Sequence, residues 1–237
     1  MKNCNADAFD GRVLFDLYYN VNSPEPYRIN SRMTNLSAQR LLKRLLKFDK
    51  IEGKLNGVGN FQGKGFGQKA VISNLSASGN FKLNRGMFNN FPMITALLAW
   101  LGFKDQKQLR FNDFICYFKI DNGRTKVEDW ALATTMGNIL TNCNLGLDGK
   151  VNLDLTFTLN KKESDALKKY HADWVLFYDK AGKAVIDLNV TGKILEPKFS
   201  LDTKKIQQRL KGKIGDEWDK KKKELEQKLK DMFKKRA

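Results

Sequence analysis

The chain has 237 residues, 41% of them hydrophobic, with 16 phenylalanines. That composition excludes disorder along most of its length and fits a single all-β domain, alone or with an appendage. A net charge of +17 confines its partners to anionic surfaces, namely nucleic acid, acidic lipid headgroups or acidic proteins. Cys4, Cys116 and Cys143 are far apart, odd in number and form no CxxC pair. They are read as buried free thiols, with neither a disulfide framework nor a zinc site.

Residues 1–10 are polar and lack the apolar stretch of a signal peptide, and no window supplies the ~20 apolar residues of a spanning helix. Over 11–22, Val13, Phe15, Leu17, Tyr19 and Val21 alternate with polar residues, which is the period of a half-buried strand. A short segment at 27–33 follows. Asn35 or Ser37 then caps a helix near 36–48, with Leu41, Leu42, Leu45 and Leu46 on one side and Arg40, Lys43, Arg44 and Lys47 on the other. Residues 51–61 alternate weakly, and the glycines at 63, 65 and 67 mark a bend. A short helix is expected at 68–75.

Residues 75–88 read as two strands joined by a tight Asn84-Arg85-Gly86 turn. Residues 91–103 are apolar nearly all round, with Pro92 near the start and Gly102 near the end, and predict a buried helix too short to span a bilayer. Residues 109–120 form a strand with Phe114, Cys116, Phe118 and Ile120 on one face, and Asp121-Asn122-Gly123 turns the chain into strands at 126–132 and 137–147. Val151, Leu153, Leu155, Phe157 and Leu159 alternate with polar residues in the clearest strand of all. A helix near 163–178 and strands at 183–191 and 193–201 complete the pattern.

Residues 203–237 carry fourteen Lys/Arg against six Asp/Glu, about half of the excess charge. Asp216 caps a last helix whose acidic first turn and basic end suit the helix dipole, and whose stripe of Trp218, Leu225, Leu229 and Met232 is narrow. The division is therefore 1–202, an antiparallel β-rich domain with inserted helices, and 203–237, a lysine-rich amphipathic helical tail.

Four segments, 54–59 (KLNGVG), 75–88, 118–124 (FKIDNGR) and 145–153 (LGLDGKVNL), followed by 195–202 (LEPKFSLD), resemble the C-terminal region of AsmA-like envelope proteins in wording and in order. The resemblance covers roughly 50–202. It implies a mainly β fold, a long curved antiparallel sheet open along one edge whose concave apolar face forms a groove. It implies a bacterial inner-membrane protein facing the periplasm, although the family's usual spanning helix is missing from this chain. It also implies work in phospholipid transport between membranes and in outer-membrane assembly, with other envelope proteins as possible partners. On this reading Val13, Phe15, Leu17, Tyr19, Phe81, Phe118, Leu153, Leu155 and Phe157 are candidates for the groove lining. A one-sided sheet can solvate acyl chains at about 0.8 kcal/mol per buried methylene. Lys220, Lys221, Lys222, Lys223, Lys234, Lys235 and Arg236 are candidates for contact with an anionic membrane surface.

The alternatives are a closed sandwich or barrel core, which has the same periodicity, and a basic module that binds nucleic acid or a protein partner. Nucleic acid is disfavoured because only Trp218 and Phe233 interleave the tail's charges. No catalytic residue, cofactor or metal is expected. His171 is the sole histidine and sits in a charged stretch, and Gly57, Gly59 and Gly63 lack the spacing and context of a dinucleotide loop.

Overall fold

The computed structural model of the protein describes residues 1–24, 26–65, 67–170 and 177–210. His171 and the candidates of the basic tail, from Lys220 to Arg236, lie outside the described residues. The alternating runs become one antiparallel sheet. Its first half comprises β1 (Cys4–Ala8), β2 (Gly11–Tyr19), β3 (Tyr27–Ser37), β4 (Ile51–Gly63) and β5 (Ser76–Asn89). Its second half comprises β6 (Gln108–Phe111), β7 (Phe114–Asp121), β8 (Arg124–Thr134), β9 (Gly137–Gly146), β10 (Lys150–Leu159), β11 (Val185–Lys193) and β12 (Glu196–Leu201). The described helices are α1 (Ala38–Leu46), α2 (Gln68–Asn74), α3 (Pro92–Trp100), α4 (Lys161–Tyr170) and α5 (Thr203–Leu210).

The order is that of the chain, from β1 at one edge to β12 at the other, with β6 and β7 sharing the place between β5 and β8. Neighbouring strands are joined by tight turns where the residues permit it. Phe9 and Asp10 take positive φ (53° and 62°) between β1 and β2, and Asn122 and Gly123 do the same (45° and 72°) between β7 and β8. That is the backbone twist a two-residue hairpin requires.

Several sequence expectations are corrected. Residues 75–88 are not a hairpin. β5 is a single 14-residue strand paired with β4 along its length, and the Asn84-Arg85-Gly86 corner is absorbed as a bulge opposite Gly53. Arg85 has φ 53°, its amide donates to Asp113 Oδ1 (3.1 Å), and the Asn84 amide donates to Asp113 Oδ2 (2.6 Å). The left-handed residue kinks the strand without reversing it, because both edges of β5 have partners waiting. The expected strand at 109–120 is broken at Asn112 and Asp113 into β6 and β7, which face that bulge. The polar N terminus forms an edge strand, β1, that composition did not reveal. The packing also crosses the expected boundary at 202: Ile206 of α5 is 1% exposed, and Arg209 donates to the buried Asp187 at 2.7 Å.

One face of this sheet is predominantly apolar. Leu17, Ile29, Phe61, Ala77, Ile120, Thr125, Leu145 and Val151 stand opposite one another in register across eight strands. The opposite face is polar, with Asp16, Asn30, Asn60, Ser78, Lys119, Lys126, Asn144 and Asn152 in the parallel row. α3 follows β5 in the chain and also packs beside β12. Six strand spacings would separate β5 from β12 by about 29 Å if flat, whereas a nine-residue helix is only ~14 Å long. The sheet between them therefore curls around α3, with its apolar face inward.

Candidate functional site

The apolar face divides into a covered part and an uncovered part. α3 places Ile94, Leu97, Leu98 and Trp100 in the core, where they join Phe88, Phe91, Leu109, Phe111 and Leu132. Leu167 of α4, Ile206 of α5 and Phe177 enter the same core. Leu153, Leu155 and Phe157 of β10 lie in it as well, at 5%, 3% and 0% exposure. They have the expected face but serve as core. Their assignment to a groove lining is corrected, because the helices reach this half of the sheet.

The other half is different. Val13, Phe15, Leu17, Ile29, Met33 and Phe61 point to the same side from β2, β3 and β4, and each keeps intermediate exposure outside the packed core. Phe81 and Phe118 stand at the border, half-buried and leaning on the core. Their rings lie 6.1 Å apart, and Phe118 is 6.4 Å from Phe61. Tyr19 ends the β2 row at 58% exposure, opposite Tyr27. Of the nine residues singled out from the sequence, four thus belong to this uncovered region, two to its border with the core and three to the core.

Sequence reasoning missed Ile29, Met33 and Phe61, and also the glycine floor between them. Gly57, Gly59 and Gly79 occupy face positions of β4 and β5, in register with Met33, Ser31 and Phe118. A methyl group on Gly79 would sit 2.2 Å from the Val58 carbonyl oxygen, and one on Gly59 would sit 2.7 Å from the Phe61 ring. The missing side chains let the Phe61 and Phe118 rings lie over the backbone, and so the glycines hold the trough open and shallow. The spacing of Gly57 and Gly59, two apart in a strand, was the available signal. Ser31 is a polar residue of this part of the face, and its hydroxyl donates to the Gly59 carbonyl at 3.3 Å.

The electrostatics of the face are neutral. Cys116 and Cys143 point into it, 7% and 8% exposed, and burial pushes each thiol up to about 11. They are protonated at neutral pH and behave as small apolar residues. Two carboxylates with lowered titration lie in the connections after β6 and β9. The Arg85 amide, then the Asn84 amide and Lys82, hold Asp113 below the usual carboxylate range, and the Lys150 amide does the same for Asp148. Among the described residues no group of three or more His, Cys, Asp or Glu could hold a metal ion, and no helix is long and apolar enough to cross a membrane. No family model, curated protein or solved structure matches the chain. The fold and face therefore define the protein as a curved antiparallel meander with a half-covered apolar concavity.

Proposed function

We propose that the protein is a non-enzymatic lipid-handling module in which the uncovered apolar face takes the acyl chain of a phospholipid or a similar lipid. One observation carries the reading: Val13, Phe15, Leu17, Ile29, Met33 and Phe61 form rows that continue the core face, yet stay half-exposed outside it. A monomer that had no use for such a surface would have closed it with a helix, as the second half of its own sheet does. Each methylene laid along these rows gains about 0.8 kcal/mol, so a chain contacting six or seven of them gains on the order of 5 kcal/mol before ordering costs. Among the described residues the face carries no Asp, Glu, Lys or Arg, and a linear, shallow floor offers similar contacts along its length. That suits a ligand that slides and leaves. The sequence resemblance to AsmA-like proteins supports this reading, in which the lipid is handled in transport between membranes and in outer-membrane assembly of a bacterial envelope.

The test is mass spectrometry of solvent extracts from protein purified without detergent and washed at high salt, which strips lipids held only by charge. Near-stoichiometric phospholipid is the expected result. Folded protein that is free of lipid, and that gains none on incubation with phospholipid vesicles, would overturn the reading.

A further inference from the structure

α1 is anchored at both ends and along its inner side. The Ser37 hydroxyl accepts from the Arg40 amide at its start. At its end Lys47 takes the left-handed conformation (φ 53°), its amide donates to the Lys43 carbonyl, and the Phe48 amide donates to the Leu42 carbonyl at 3.3 Å. Phe48 is 8% exposed with its ring 5.2 Å from Phe91, and Ala38 is 2% exposed in the core. A helix held this firmly presents a fixed outer surface.

That surface is unusual in composition. Leu41 and Leu45, four apart, share the flank beside the buried side, and Leu45 is 57% exposed. Arg40 and Arg44, and Lys43 and Lys47, form the two rows next to it, all exposed. Asp10 pairs with Arg40 at 2.6 Å, and Asp49 lies 3.8 Å from Lys43 and 3.2 Å from Lys50. These two carboxylates leave the five cations in excess by three. An exposed leucine, Leu45, beside the half-buried Leu41 and bordered by unneutralised cations is the pattern of a helix lying at a bilayer interface. A polyanion without an apolar phase would answer the charges and leave Leu45 unused.

We infer that the outer side of α1 is a docking surface for an anionic lipid bilayer, with Leu45 and Leu41 entering the headgroup region while Arg44, Lys47 and Lys43 meet the phosphates. The inference uses residues outside the uncovered sheet face and stands whether or not that face holds lipid.

The full chain carrying Cys4→Ser and Leu45→Cys, labelled with a polarity-sensitive fluorophore, tests it. Cys116 and Cys143 are buried and stay unlabelled. Vesicles of phosphatidylglycerol and phosphatidylcholine should shift the emission to the blue and raise it several-fold, and vesicles of phosphatidylcholine alone should not. The same label at Leu140→Cys, 48% exposed on the polar face of β9, should not respond. Independently, Arg44→Gln with Lys47→Gln should lower the partition coefficient onto anionic vesicles about 30-fold, at ~1 kcal/mol per cation. An unresponsive Leu45 label on protein that co-sediments with vesicles would overturn the inference, as would unchanged partitioning of the double variant. An equal blue shift with duplex DNA or heparin would overturn it in favour of a polyanion partner.

Discussion

Phe157 and Phe15 have the same residue type and point to the same side of the same sheet, yet their substitution should fail in opposite ways. Phe157 is 0% exposed, between Ile139 of β9 and Ile186 of β11, and beneath the helices. Truncation to alanine there removes the ring and leaves a cavity that the curled sheet cannot close, at a cost of about 3–5 kcal/mol. Against a total stability of about 5–15 kcal/mol, this lowers the urea midpoint by about 1–2.5 M at an m-value near 2–3 kcal/mol per M. Phe15→Asp is the harsher chemical change at the gentler site. The ring is half-buried and outside the core, so its loss costs on the order of 1 kcal/mol. A charged carboxylate on the face, however, displaces an acyl chain from two or three methylenes of contact, about 2 kcal/mol or ~30-fold in occupancy. Urea titration followed by tryptophan fluorescence reads the first quantity and phospholipid per mole of purified protein reads the second. Equal loss of stability in the two variants would refute the division of the face into core and trough. Unchanged lipid content in a folded Phe15→Asp protein would refute the assignment of the trough to lipid.

Other outcomes follow from the same geometry. Arg209→Ala strands the Asp187 carboxylate, 4% exposed and left with the Thr156 hydroxyl at 2.7 Å, and should cost about 3 kcal/mol in urea unfolding, with the double change to leucines recovering much of it. In native protein at pH 8 a thiol reagent should titrate Cys4 quickly and Cys116 and Cys143 only on unfolding, because Cys4 is half-exposed and the others are buried. Burial raises the thiols of Cys116 and Cys143 in the folded state from an ordinary 9.0 to about 11, so the stability they contribute is whole below pH 9 and is lost as pH rises through 11. A Cys116→Ala, Cys143→Ala double variant should flatten that alkaline limb. Gly79→Ala drives a methyl group into the Val58 carbonyl and should destabilise by about 1–3 kcal/mol, measured by thermal unfolding, whereas alanine at Gly67, where nothing lies within 4 Å, meets only the cost of its φ of 124°.

Much of the fold was legible because period two needs no tertiary information. The alternation from Val151 to Leu159 became β10 with all its apolar residues inward. Asp121-Asn122-Gly123 made its turn, since Asn and Gly tolerate left-handed backbone. The α1 N-cap at Ser37 and the Pro92 start of α3 were likewise written locally. The errors fell where a partner strand overrode a local signal. Asn84-Arg85-Gly86 has turn residues, yet β4 on one side and β6 with β7 on the other carry β5 on through it as one kinked strand. β1 alternates only the small Cys4, Ala6 and Ala8 with Asn5 and Asp7, too weak a signal by itself, and exists because β2 offers an edge.

For the candidate site the boundary is similar. The sequence by itself determined that Phe15, Phe118 and Phe157 would share one face with their neighbours, because side chains two apart in a strand point the same way. It also determined that this face would be apolar and its reverse polar. Which stretch of the face became core and which stayed uncovered was decided only by tertiary structure. That choice depends on where the curl of the sheet lets α3, α4 and α5 reach, and a helix's docking place is a matter of long-range packing that no local period encodes.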